Sequence, residues 1–307
     1  MSEATVFTPP HALNTAVLFL VFNRLDTTKQ VFEAIRQAKP PRLYVAADGA
    51  RANKEGEADK AQAVRDYIMQ NIDWDCEVKT MFREYNLGCK MAVSGAIDWF
   101  FENEEQGIIL EDDCLPSQSF FWFCEELLER YKYDERIFLI SGYNKQNKWQ
   151  KTDESYFFSS YGGIWGWAGW SRAWRHYDVE MTDINEFINR DHFVDLLGKE
   201  QGKFRQIMIH DSIVVNKMDT WDYQWAYARH KNNGLACVPM KSLIENIGYG
   251  DDATHTSGVN PDNVQKHEIS FPLKENKFVV PDRKYDEKFI SKPNFLFRIV
   301  GRLKRIL

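Results

Sequence analysis

No stretch of this 307-residue chain approaches the roughly 20 consecutive apolar residues that a membrane-spanning helix needs. The N-terminal residues, with Glu3, Pro9 and Pro10, also lack the basic and apolar regions of a secretory signal. Cysteine is sparse and unpatterned: Cys76, Cys89, Cys114, Cys124 and Cys237 are odd in number and form neither a CxxC pair nor a zinc spacing. Reduced thiols in a cytoplasmic protein are therefore expected. There is no repeat and no low-complexity linker. Positive charge is short over most of the chain. Residues 283–307 carry eight Lys/Arg against two Asp/Glu, which leaves a net charge of −12 on residues 1–282. An acidic body of that kind argues against nucleic acid as a partner.

What is abundant is apolar and aromatic. A 44% hydrophobic content is enough for a sizeable core, and ten Trp exceed ordinary packing needs, which suggests a site gripping flat, amphipathic ligands such as sugars or bases. The apolar runs alternate with amphipathic segments. Ala16–Phe22 reads as a strand and Asp26–Gln37 as a helix with Val31, Phe32 and Ile35 on one face. Leu43–Ala47, Ala58–Gln70, Val78–Phe82, Met91–Phe101 and Gly107–Leu110 continue the alternation. Strand–helix alternation predicts an α/β fold with a mixed, mostly parallel sheet flanked by helices, whose ligands bind beyond the carboxyl ends of the strands. Residues 1–114 would form a ligand-binding half. Residues 115–280 would form an aromatic-rich second half of the same unit, helical at Ser119–Tyr131, about Phe204–Lys217 and Asp222–His230, with a further strand at Ile137–Ile140.

The strand Gly107–Leu110 ends in Glu111, Asp112 and Asp113. Three acids at one sheet edge repel one another, and proton uptake, a basic partner or a cation must relieve them. Hard carboxylate oxygens suit Mg²⁺ or Mn²⁺, which keep positions open for water or substrate phosphate. An acidic surface turn is the plain alternative. Farther on, Gly163–Trp170 sets indoles beside glycines, with Trp165 and Gly166 the better site candidates and Trp170 and Trp174, four apart, equally readable as core. Trp221-Asp222-Tyr223-Gln224-Trp225 opens a helix with an acid. Asp222 reads either as an N-cap or, among aromatics, as the partly desolvated carboxylate of a general base. Gly248–Thr256 joins glycines, Asp251 and Asp252 with His255, which can ligate metal or hold diphosphate or can be ordinary surface loop.

Taken in order, Val21-Phe22-Asn23-Arg24, Asp48-Gly49, Asn86-Leu87-Gly88, Ile109–Asp113, Trp165-Gly166-Trp167, Trp221–Trp225 and Asp251–Thr256 resemble bacterial nucleotide-diphospho-sugar glycosyltransferases of the GT-A fold. The resemblance spans about residues 16–258. More distantly, the acidic triplet and the later Asp-x-x-Trp are similar to the inverting N-acetylglucosaminyltransferase I group. The resemblance implies that Asp113 binds Mn²⁺ or Mg²⁺, with Asp112 nearer ribose or sugar and Glu111 towards the sugar. It implies that Asn23, Arg24 and Asp48 line the nucleoside, and that Asn86, Gly88 and Lys90 lie near ribose, sugar or phosphate. Asp222 takes the position of the catalytic base in inverting members, and His255 that of a late metal or diphosphate ligand. The triplet departs from a strict Asp-x-Asp, which makes Asp113 its firmest member. A nucleotide-diphospho-sugar donor and a glycan or lipid-linked acceptor are the implied partners. Two other readings compete. A sugar nucleotidyltransferase would want a glycine-rich loop where Phe22–Asp26 has no glycine, and a non-catalytic carbohydrate-binding protein would use the Trp cluster alone.

Residues 281–307 read as a basic tail. As a helix, Pro293–Leu307 would put Leu296, Ile299, Val300, Leu303 and Leu307 on one face and Arg298, Arg302 and Arg305 on another. That pattern suits the anionic inner face of a membrane, or equally a helix packed on the protein body.

Overall fold

The computed structural model describes residues 7–149, 152–249 and 264–290. In chain order the elements are β1 (Val17–Val21), α1 (Leu25–Ala38), β2 (Arg42–Ala47), α2 (Glu57–Asn71), β3 (Glu77–Phe82), α3 (Gly88–Asn103), β4 (Gln106–Glu111), β5 (Cys114–Pro116) and α4 (Ser119–Arg130). Next come β6 (Ile137–Ser141), β7 (Tyr156–Ser159), β8 (Trp167–Trp170), α5 (Ser171–Trp174), α6 (Ile184–Asn189), α7 (His192–Leu197) and α8 (Lys199–Ile209). A π-helical turn at His210–Val215 precedes α9 (Asp222–Lys231), β9 (Leu235–Pro239), β10 (Ile244–Asn246) and α10 (Arg283–Phe289).

Eight strands form one mixed sheet in the order β3-β2-β1-β4-β8-β6-β9-β7, and β5 pairs with β10 in a separate two-stranded ribbon. The pairs β1–β2, β2–β3, β1–β4 and β6–β9 are parallel, whereas β8 runs antiparallel to both of its neighbours. β1 is buried along its whole length, as a parallel strand covered on both faces must be. Its alternate residues serve opposite layers. Val17, Phe19 and Val21 pack with Phe32 of α1, Val64 of α2 and Phe121 of α4, while Leu18 and Leu20 pack with Ile97 of α3 and Trp225 of α9. The molecule is thus three layers, helices on either side of a sheet. α6–α8 form a smaller apolar cluster with Tyr161 and Tyr227 on the outer side of α9.

The expected strand Ile137–Ile140 is β6, and the second half is less helical than its sequence suggests, because β7, β8 and β9 join β6 in completing the first half's sheet. Trp170 and Trp174 do not share one helix. Trp170 closes β8, Trp174 ends the short α5, and both are buried. A buried antiparallel strand running straight into a helical turn mimics helical spacing. Of residues 281–307, the first ten dock on the body: Phe158 bridges Pro281, and Tyr285 of α10 is buried against Phe157. The amphipathic stretch Pro293–Leu307 lies outside the described residues. Among the described residues no helix is long and apolar enough to cross a membrane.

Candidate active site

Strand order reverses between β1 and β4, and the crevice beyond their carboxyl ends is the expected ligand position in such a sheet. A cavity of about 360 Å³ lies there. Its first wall is made by the residues that follow each parallel strand: Arg24 after β1, Asp48 after β2, Asn86 and Gly88 after β3, and Glu111, Asp112 and Asp113 at the end of β4. Its second wall comes from the other half of the chain, with Ile164, Trp165, Trp221 and Asp222.

Burial of Ile108, Ile109 and Leu110, worth about 1.5–3 kcal/mol each, offsets the cost of ending β4 in three acids. The acids are then divided by their surroundings. Arg24 donates to Asp113 Oδ2 at 3.0 Å and forms a closer ion pair with Asp112. Burial raises Asp112 to about 6 against the pull of Arg24, and burial together with the charges of Asp113 and Asp112 pushes Glu111 well above the usual carboxylate range. The β5–β10 ribbon holds the triplet from behind. Ile247 N–H donates to the Asp113 carbonyl at 2.8 Å, and Gly248 lies so close to the Asp113 carboxylate that no side chain fits at position 248.

Asp48 organises the neighbouring loop. Its carboxylate accepts from the N–H groups of Gly49 (3.0 Å), Leu87 (3.0 Å) and Gly88 (3.2 Å) and from Asn86 Nδ2 (2.9 Å). Gly88 has φ +78° where Asp219 crowds it, a backbone region that favours glycine. Asp219 in turn accepts from Cys89 N–H (2.8 Å) and Lys90 N–H (2.9 Å), capping α3 and drawing the segment before α9 over the cavity. Asp222 follows three residues later as the first residue of α9. It is not an N-cap: the cap position is Trp221, no side-chain cap bond is made, and the Asp222 carboxylate accepts from Thr220 Oγ1 instead.

Three sequence-predicted site residues stand off the cavity. Asn23 lies in the adjoining groove and donates to Glu57 at 3.0 Å. Lys90 pairs with Glu180 at 3.4 Å rather than facing the acids. Gly166, at φ +60°, is packed against Ile244 and Leu110, and its carbonyl accepts from Gly142 N–H at 2.8 Å. His255, with Asp251 and Asp252, lies outside the described residues. In their place the structure brings forward Arg51, Arg83 and Asp219 as lining residues. Glu57, 5% exposed, fixes Asn23 and the Arg51 guanidinium together. Arg51 and Arg83 carry the local sign of polarity soon after a strand, whereas Asp219, ahead of α9, and Glu57, at the start of α2, carry none.

Most of the Trp complement is core. Trp167, Trp170, Trp174, Trp221 and Trp225 are buried, and four of them pack ring on ring, which leaves Trp165, set edge-on to Tyr143 at 4.6 Å, as the more open indole of the cavity. As for a metal, among the described residues no group of three His, Cys, Asp or Glu can hold an ion by itself. Asp112 and Asp113 nevertheless suit a Mg²⁺- or Mn²⁺-type ion, which typically takes one or two carboxylates and completes its shell with water and substrate phosphate.

The chain is thus an α/β protein with an acidic and arginine-bearing cavity at the reversal of its strand order. It is similar in structure to a mannosyltransferase, PcManGT from Pyrobaculum calidifontis, in complex with GDP-Man and Mn²⁺, at 9% identity and a TM-score of 0.39 over 72% of this chain and 70% of that one. Residues 1–349 of TarS from S. aureus align at 8% identity and a TM-score of 0.39, covering 77% of this chain and 61% of that one. HddC from Yersinia pseudotuberculosis aligns at 8% identity and a TM-score of 0.31 over 52% and 77%. No family model and no curated protein matches the chain in sequence.

Proposed function

We propose that the protein is a metal-assisted glycosyltransferase of the GT-A type. It moves a sugar from a nucleotide-diphospho-sugar, a UDP- or GDP-sugar, to a hydroxyl of a glycan or lipid-linked acceptor, with inversion. The observation that carries this reading is one cavity in which arginines and acids from four strand ends face Asp222 and Trp165 from the other half. Arg24, Arg51 and Arg83 supply positive charge for a diphosphate, and Asp48 with Asn86 shapes the loop beside the nucleoside. Asp113 and Asp112 would hold the ion, exchanging Arg24 as a partner. A bound divalent cation supplies Lewis acidity that offsets the charge developing on the leaving diphosphate.

Asp222 takes the proton of the acceptor hydroxyl while that oxygen attacks the anomeric carbon and the bond from carbon to phosphate oxygen breaks. One base opposite one leaving group gives inversion. Burial of most of the Trp cluster leaves the carbohydrate-binding alternative Trp165 as its more open indole, and a sugar nucleotidyltransferase stays a second reading, although Phe22–Asp26 has no glycine.

Calorimetry with UDP- and GDP-sugars, first with Mn²⁺ and then with chelator, tests the reading. Binding is expected to need the ion and to weaken in Asp113→Asn, with transfer falling about 10²–10³-fold, the usual loss for one electrostatic contributor. Tight binding indifferent to chelator would remove the metal from the mechanism, and a product with the donor's anomeric configuration retained would remove Asp222 as base.

A further inference from the structure

Beside the second wall lie two guanidiniums, Arg205 and Arg229, and an imidazole, His230, for which no ion pair forms among the described residues. Arg229, seven residues after Asp222 on α9, is 2% exposed, and His230 is 3% exposed. Arg229 Nη2 reaches only the Gly162 carbonyl at 3.5 Å. Its Nε and Nη1, together with Arg205 Nε and His230 Nε2, have no hydrogen-bond partner among the described residues. The acids nearby are committed elsewhere. Asp286 accepts from Ser159 Oγ at 2.5 Å, Asp183 pairs with Lys231 and accepts from Tyr227, and Asp222 accepts from Thr220, its charge acting on Arg205 without an ion pair. Burial, reinforced by Arg205, accordingly pulls Arg229 down to about 9.

A buried charge that lacks a partner is costly to keep, and side chains in that state commonly await one. Two guanidinium forks offer planar, paired donors that match the oxygens of phosphate or carboxylate. On the side facing away from the sheet, Arg205 and Tyr223 are only half-buried, with the guanidinium 5.7 Å over the ring. The π-helical turn at His210–Val215 covers that side through Ser212, 3.4 Å from the Tyr223 hydroxyl, and such turns are often found at functional sites. Gly162 leads directly to Ile164 and Trp165 in the cavity wall.

We propose that Arg205 and Arg229 form an oxyanion subsite that binds a phosphate or carboxylate group of the acceptor. Seven helical residues separate Arg229 from Asp222, about 10 Å along α9, so the anion lies on the order of two sugar units from the attacking hydroxyl. The word acceptor rests on the glycosyl-transfer reading, whereas the anion site does not.

The test is thermal unfolding of the full chain in inorganic phosphate or in acetate, each with and without saturating UDP and Mn²⁺. At about 100 times the dissociation constant, phosphate, acetate or both are expected to raise Tm on the order of 5 °C with UDP present, and the more effective anion identifies the group. Arg205→Gln is expected to lose most of that rise and to keep the rise due to UDP. Should Arg229→Met fold, it loses the anion effect as well, with Tm in anion-free buffer no lower than wild type. An anion effect that vanishes when UDP is present, or one equal in wild type and Arg205→Gln, marks an adventitious ion only and overturns the proposal. Absence of any UDP effect defeats the donor reading and leaves the anion result to be read without UDP.

Discussion

The two walls of the cavity are built on opposite electrostatic terms. In the first, every acid but Glu111, which burial and its neighbours' charges push towards its protonated form, has an answer: Asp112 and Asp113 have Arg24, Glu57 has Arg51 and Asn23, Asp48 has three backbone N–H groups and Asn86, and Asp219 has the first turn of α3. Beside the second, Arg205, Arg229 and His230 share a buried space with unpartnered nitrogens. A wall already satisfied can admit a ligand only by exchanging partners, and removing half of a buried pair leaves an uncompensated charge, commonly at about 3–5 kcal/mol. A wall left unsatisfied gains when a ligand arrives. On the proposed glycosyl-transfer reading, the donor site is then preformed and the acceptor side is completed by what it binds.

Asp222 stands between the walls, and its removal separates them most sharply. Asp222→Asn keeps the shape and removes the proposed base, so transfer is expected to fall about 10²–10⁴-fold while UDP affinity, which the proposal assigns to the first wall, stays within about twofold. Single-turnover rates and calorimetry on the same preparation check this. An equal loss in both measurements would show that Asp222 serves the donor site, and the division into two walls would fail.

How much of this could be read from the chain differs between the same regions. β1, β2 and β4 carry continuous apolar runs because parallel strands covered on both faces have no polar side, whereas β3, at the sheet edge, keeps Glu77, Lys79 and Thr80 among its apolar residues. β8 was hidden because Trp167–Trp170 runs straight into Ser171–Trp174, and the indoles fall at helical intervals. β5 and β10, three residues each, are too short to show a period. α8 begins at Lys199, earlier than its apolar spacing indicates, because Lys199 and Glu200 face outward in its first turn. The largest omissions are contacts rather than elements. Asp219 meets Cys89 130 positions away, Glu57 meets Asn23 34 positions away, and nothing local to either residue announces its partner. Arg229 and His230 read as an ordinary basic helix end; only packing reveals that they point inward.

A smaller effect tests whether the first wall is as fully matched as its bonds imply. Glu57 accepts from Asn23, from the Arg51 backbone N–H at 2.7 Å and from its guanidinium, and the Arg51 bond holds its carboxyl below the usual range. Because the folded value is depressed, this contribution is present above the unfolded carboxylate range and is lost as pH falls through the folded one. Arg51 is partly open to solvent, so Glu57→Gln is expected to cost only about 1–2 kcal/mol at pH 7. Loosened Asn23 and Arg51 should also raise the KM for the donor several-fold with kcat little changed. Chemical denaturation at pH 7 and at pH 4 gives the first quantity, and the variant should converge on wild type at the lower pH. A stability difference that grows on acidification would mean that Glu57 is not held by Arg51.

The smallest effect belongs to the second wall and is read through pH. Burial lowers His230 well below its usual range, and Arg205 and Arg229, the charges facing it, lower it further; Tyr161 and Phe193 meet its ring edge-on. A depressed histidine is neutral when folded and takes up a proton when unfolded. Its contribution is therefore whole above the unfolded value, about 6.5, and stability falls below it by up to about 1.4 kcal/mol per pH unit. His230→Gln should flatten the fall in unfolding free energy between about pH 6.5 and pH 5 while leaving the value at pH 7.5 within about 1 kcal/mol of wild type. An oxyanion bound at Arg205 and Arg229 would offset their charge and let His230 accept its proton more readily, so phosphate should flatten the wild-type slope and leave that of His230→Gln unchanged. Equal slopes in wild type and variant without phosphate would mean that His230 is already partnered, and the contrast between a matched wall and an unmatched one would disappear at its most buried residue.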